Sequence, residues 1–330
     1  MFVPATGGSG DSVLLAMEER AATAPVPLKQ LLHSAVAAGW WQRYQNDSWN
    51  ILERTELAEP TDDPDTWTQR TFMEKVIAHY RTSLEPADTL LRIPVGDLGA
   101  LLVDEGTALH LRPTVFDVLA HRALEVFTST ETRITEPAWR FRLDDVRDFA
   151  LFEPSVFRAL EHRDSAAWEF QALRLYQRLE RAHLNASKPD ALVDVTLQRL
   201  AYVRANSVVP DKDSLYLEAL NTLRSRLPND SCRAEVTHAV ALWHQEQGAN
   251  YQRLSSDAWK WENRTARTLC EEEIARFSGS FGAKRCAQLK AQLEYPSLRI
   301  EMEEATTPDE DFLFAPEKAK ELATRSGVTC

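Results

Sequence analysis

Glycine is scarce in this chain, with 11 in 330 residues, about half the usual frequency of roughly 7%. Few residues are therefore free to make the many tight turns and bulges of a strand-rich fold, and Leu, Ala, Glu and Arg, all good helix formers, are abundant instead. The four cysteines, Cys232, Cys270, Cys286 and Cys330, show no CxxC spacing, which excludes a disulfide scaffold and the common zinc and thioredoxin patterns. Positive charge is in deficit, 38 basic against 50 acidic residues for a net charge of -12. Such a surface repels phosphate backbones and anionic lipid headgroups, so nucleic acid is not an expected partner. Apolar runs such as Ala35 to Trp41 break within a turn or two, well short of the 18 or more residues of a membrane-spanning helix. Met1 to Gly10 lacks the basic and apolar segments of a secretory signal, so the chain standing alone is expected in the cytoplasm.

Catalytic signatures are also missing. There is no GxSxG elbow, Walker lysine loop, GxGxxG fingerprint or HExxH pair. His162-Arg163-Asp164 matches the catalytic loop of protein kinases for three residues, but Glu169 stands where the magnesium-binding Asn belongs, and neither a glycine-rich phosphate loop nor a DFG motif accompanies it. Asp62, Asp63 and Asp65 form the densest carboxylate cluster and offer oxygen ligands to a hard cation. Their spacing lacks the alternation and following Glu of an EF-hand, and a helix-capping loop is the simpler reading. His238 and His244 are six residues apart and do not share a helical face as an i, i+4 zinc pair does. The expectation is a non-enzymatic protein with no catalytic, cofactor-binding or metal-ligating set and no cofactor.

What is present is helical periodicity. A helix opens near Pro27 and runs through Leu28, Leu31, Leu32, Ala35 and Ala38 to Trp41. After the polar stretch Pro60 to Asp65, Thr66 and Gln69 have the spacing of a capping box before the face of Phe72, Val76 and Tyr80. From Pro113 onward, Phe116, Leu119, Ala120, Ala123, Leu124 and Phe127 make one apolar stripe. Later segments repeat the pattern at Trp168, Ala172, Leu175 and Leu179, at Val193, Leu197 and Leu200, at Tyr216, Leu220 and Leu223, and at Val236, Val240 and Trp243. Breaks such as Pro210-Asp211 and Pro228-Asn229-Asp230 separate them. Trp40, Trp41, Tyr44 and Trp49 stand at near-helical spacing, which suits core packing or an aromatic docking surface.

The fold class expected is all-α, with antiparallel helix pairs in a solenoid-like, tetratricopeptide-like array, although the signature of that repeat is absent. A final hairpin is expected around Ser278-Gly279-Ser280, with Cys270 and Cys286 on its facing apolar sides, either as two small buried hydrophobes or as a disulfide. Past Pro296 the period becomes two, with Leu298, Ile300 and Met302 alternating with charge, and this reads as a short β-strand. The expected divisions are a helical domain over 1–155, a solenoid-like helical domain over 156–295, and a strand with a disordered tail over 296–330 that opens a truncated β-domain.

Three segments resemble the helical N-terminal region of the large alpha-2-macroglobulin-like proteins of Bacteroidetes and related bacteria. They are Pro27 to Ser34 with Trp41 to Asn46 and Arg54-Thr55-Glu56; Asp62 to Trp67 with Ser83-Leu84; and Arg112 to Leu124, the most specific of the three. Cys270 to Glu303 is similar to the passage of that family from helices into its first β-sandwich domain. The resemblance implies an exported, envelope or periplasmic parent that traps proteases with a bait segment and often a thioester built on Cys-x-Glu-Gln. None of the four cysteines here stands in that motif, so covalent trapping is not carried over. The expected role is a non-catalytic scaffold or interaction module of such a protease inhibitor, whose partners are the remaining domains of a larger chain. The alternative is a free-standing helical-repeat adaptor for a protein or peptide.

Overall fold

The computed structural model describes residues 9–55, 61–101, 109–129, 140–151, 162, 164, 167–185, 189–252 and 256–295. Among them are eleven α-helices and several 3-10 turns, with no strand. The β-strand expected at Leu298 to Met302 and the tail after it lie outside the described residues, as does Cys330.

The chain forms two compact units, Met1–Val236 and Thr237–Cys330. The division therefore falls elsewhere than the expected one after residue 155. The reason is visible in the first unit, where helices from both sides of that point share one apolar core and Phe127 packs edge-on against Trp168.

In the first unit, α1 (Ser9–Thr23) lies on α2 (Leu28–Leu52). Gly39 makes the approach possible, since a Cβ there would stand 2.3 Å from the Leu14 side chain. α3 (Gln69–Ser83) runs antiparallel to α2, because Gln69 reaches Tyr44 while Gln30 reaches the Glu85 carbonyl at the other end. Its cap is Thr68, whose side chain accepts from the Thr71 amide. Thr66 instead belongs to the preceding 3-10 turn and donates to the Asp63 carbonyl at 2.7 Å. The capping box expected from Thr66 and Gln69 therefore does not form: the Pro64–Thr66 turn uses up Thr66, and α3 starts two residues later on the simple Thr68 cap.

The short α4 (Ala87–Leu90) leads toward α5 (Val115–Phe127), and every member of the predicted Phe116 to Phe127 stripe is buried. α6 (Trp168–His183) runs antiparallel to α5, with His183 at Asp117 and Trp168 at Phe127. α7 (Asp190–Asn206) runs antiparallel to α6, with Thr196 at Glu180 and Tyr202 at Tyr176. α8 (Lys212–Arg226) packs on α7.

α9 (Arg233–Gly248) carries the chain into the second unit. There Thr237 bonds Glu273 of α10 (Glu262–Arg276), and His244 bonds Glu262. α10 and α11 (Phe281–Glu294) form the expected hairpin. Gly279 takes φ +86° in its turn, a conformation that favours glycine, and Ser280 caps α11 by accepting from the Ala283 amide. Ala241, Ala266, Cys270, Cys286 and Leu289 fill the small core of this unit.

Candidate functional site

The segments singled out by sequence become polar clamps in the first unit. The acidic loop is pinned to α2 by two arginines. Arg43 contacts Asp11 at 3.4 Å, Asp47 at 3.2 Å and Asp65 at 3.0 Å. Arg54 donates to the Trp67 carbonyl at 2.9 Å and pairs with Asp47 at 3.4 Å. Asp63 spends its side chain accepting from the Asp65 amide, so Asp63 and Asp65 serve as cap and ion-pair partner. Trp67 is buried against Trp40 and Phe72. Among the described residues no group of three or more His, Cys, Asp or Glu side chains converges as a metal cluster.

The second clamp sits at the start of α5. Thr114 and Asp117 form a reciprocal capping box. The Asp117 carboxylate accepts from the Thr114 amide and hydroxyl, each at 2.8 Å, and its other oxygen meets His183 Nε2 at 2.7 Å. An Asp–His pair is the basis of many acid–base sites, but here both side chains are enclosed, at 1% and 7% exposure, and they act to join α5 to α6. One turn along α5, His121 is buried and its Nε2 has no hydrogen-bond partner among the described residues. Burial, reinforced by the nearby Arg112 charge, pushes its pKa down to about 3.

This gives a pH prediction with a definite sign. His121 stays neutral when folded yet takes a proton near pH 6.5 when unfolded, so the unfolded chain binds more protons between those values. Its contribution is intact above pH 6.5 and is lost as pH falls toward 3. His121→Leu is expected to leave stability at pH 7 within about 1 kcal/mol and to make the urea midpoint fall less steeply between pH 6.5 and 4.

The third clamp is a buried ion pair. Arg199 of α7 donates to both oxygens of Glu180 at 2.9 and 3.0 Å, and Thr196 donates to the same carboxylate at 3.0 Å. The remaining guanidinium nitrogens reach the carbonyls of Asp148 and Ala150, the latter at 2.8 Å. Ser207 adds a bond to the Leu143 carbonyl at 2.9 Å. α7 thus holds the irregular stretch 140–151, whose own backbone groups have no ladder to join.

Of the other sequence candidates, His162 contacts Phe141 and Phe170 edge to face or tilted, and its Nδ1 accepts from the Asp164 amide. Arg163 is outside the described residues. His238 is buried, and desolvation with the Arg285 charge holds its pKa down at about 4. The aromatic cluster divides: Trp40, Trp41 and Tyr44 are core, whereas Trp49 is 78% exposed beside exposed Leu52 on the last turns of α2. These lie past Asp47, where φ −128° interrupts the helix.

In the second unit, Cys270 and Cys286 meet across the hairpin as free, fully buried thiols. A hydrogen bond between them raises Cys286 and lowers Cys270. Alkylation of the folded protein is expected to spare both, and unfolding in denaturant is expected to expose them to the same reagent, as read by mass spectrometry. The same unit carries an exposed turn that sequence pattern did not single out. Trp259 stands at φ +62°, rare for a bulky residue, and Trp261 is 61% exposed with Lys260 and Arg264 near its ring.

Compared with family models, curated proteins and solved structures, the chain shows no match. No helix among the described residues is long and apolar enough to cross a membrane.

Proposed function

We propose that this chain is the non-catalytic helical module at the N-terminal side of a bacterial alpha-2-macroglobulin-like protease inhibitor, supplying rigid surface and contacts to the other domains of a larger chain. The observation that carries this reading is where the resembling segments sit. Arg54 ties the first segment to the second through the Trp67 carbonyl. The third is α5, whose apolar stripe lies in the core and whose cap is locked to α6. In this reading the resembling segments supply contacts that hold the helices together, as expected of a scaffold. The antiparallel order of α5, α6 and α7 supports a solenoid-like stacking of the first unit. The parent is exported to the periplasm or cell envelope in this reading.

A second reading, a helical adaptor for a protein or peptide, is favoured by the exposed Trp259–Trp261 turn, since aromatic side chains beside cations are frequent anchors at interfaces. An immunoblot of fractionated native cells separates the two. The module reading expects a band much larger than 37.4 kDa in the envelope fraction. A cytosolic band at 37.4 kDa would overturn it in favour of the adaptor.

A further inference from the structure

We propose that Cys270 and Cys286 form a disulfide that staples α10 to α11, so that the stability of the second unit depends on the redox state of this pair. The hairpin sets the two residues at one level. Cys270 lies six residues before Arg276, the last of α10, and Cys286 five after Phe281, the first of α11. At about 1.5 Å of rise per residue both stand roughly 8 Å along their helices from the Gly279 turn. Ala266 and Cys270 on α10 and Gly282, Ala283 and Cys286 on α11 are buried and small. Such side chains let two backbones approach closely, as a disulfide requires, with Cα atoms no more than about 7 Å apart. The two thiols hydrogen-bond to each other, and neither has any exposure to solvent, so nothing stands between the sulfurs.

The use of a staple follows from the core itself. The apolar cluster of this unit is Ala241, Ala266, Cys270, Cys286 and Leu289, and only Leu289 among them is larger than cysteine. So little apolar surface supplies little stability, and small units of this kind gain most from a cross-link. Cys232 belongs to the first unit, which leaves the hairpin cysteines as each other's partners among the described residues of the second. The oxidant is a low-molecular-weight disulfide. One thiolate attacks it, forming a mixed disulfide and releasing one thiol; the second cysteine then attacks the protein sulfur of that mixed disulfide, and the second thiol leaves. The pair gives up two electrons and two protons, and the oxidant is reduced to two thiols. Because both sulfurs are enclosed, the reaction takes place as the hairpin forms or opens locally, and the finished bond is shielded from reductant in the same way. The inference does not depend on the macroglobulin reading.

Full-length protein is reduced in denaturant, refolded in a buffer of oxidised and reduced glutathione, quenched with iodoacetamide and digested without reductant. Mass spectrometry is expected to find one dominant cross-linked peptide, joining Cys270 to Cys286 and lighter by two hydrogens than the separate thiol peptides. Amide hydrogen exchange of α10 and α11 is expected to be at least about tenfold slower in this oxidised protein than in the same protein refolded with dithiothreitol. Cys270→Ala and Cys286→Ala are each expected to abolish both the cross-link and the redox dependence. Should either variant fail to fold, the wild-type protein decides, through its peptide map and the comparison of its own two redox states. No cross-link, a cross-link that runs instead to Cys232 or Cys330, or equal hydrogen exchange in the two redox states overturns the staple and leaves the pair as two small buried hydrophobes.

Discussion

Arg199→Ala is expected to lower the unfolding free energy of the first unit by about 3 to 5 kcal/mol, because it leaves the enclosed Glu180 carboxyl without its partner. For a unit of this size the melting temperature should fall by roughly 6 to 20 °C. The residue has a second duty that sharpens the test. It also satisfies the Asp148 and Ala150 carbonyls, so removing both charges in Arg199→Met/Glu180→Leu repairs only part of the damage. A buried ion pair alone is often replaced by apolar residues at no cost. Here the stranded acceptors should keep the double variant about 2 kcal/mol below wild type. Urea unfolding of the two variants measures both effects. A loss under 1 kcal/mol for the single change would show that stretch 140–151 does not depend on α7.

Asp117→Ala is expected to cost about 2 to 4 kcal/mol. Loss of a helix cap accounts for about 1 kcal/mol, and the rest comes from leaving the buried His183 ring and the partly buried donors of Thr114 unpaired. Asp117→Asn keeps the volume and one good acceptor for the Thr114 groups. Its amide nitrogen can donate to His183 once that ring changes tautomer, so most of the loss should be restored. Far-UV circular dichroism and urea midpoints compare the pair. Equal losses for Ala and Asn would mean that the negative charge, and not the hydrogen-bond geometry, secures α5.

How much was legible beforehand differs between apolar and polar residues. Phe116 to Phe127 and Trp168 to Leu179 declared their buried faces because an α-helix repeats every 3.6 residues, so local spacing encodes which side is covered. The Gly279 turn and the facing of Cys270 and Cys286 were readable for the same reason, since a short turn leaves two amphipathic helices little choice of partner. Thr66 shows where local reading slips. A proline two residues earlier starts a 3-10 turn, and the cap moves to Thr68. Trp49 shows another limit, for its spacing from Trp41 and Tyr44 is helical, yet the irregular backbone at Asp47 precedes its turn out to solvent.

Composition and periodicity by themselves determined the helical class, the net negative charge and the apolar stripes, all of which depend on residues close in sequence. Only the tertiary structure decided which polar side chains meet. His183 finds Asp117 across 66 residues, Arg112 finds Asp194 across 82, and His33 finds His79 across 46. Such pairings depend on how far each helix slides and turns against its neighbour. That is set by the fit of whole apolar faces, and no short spacing along the chain records it.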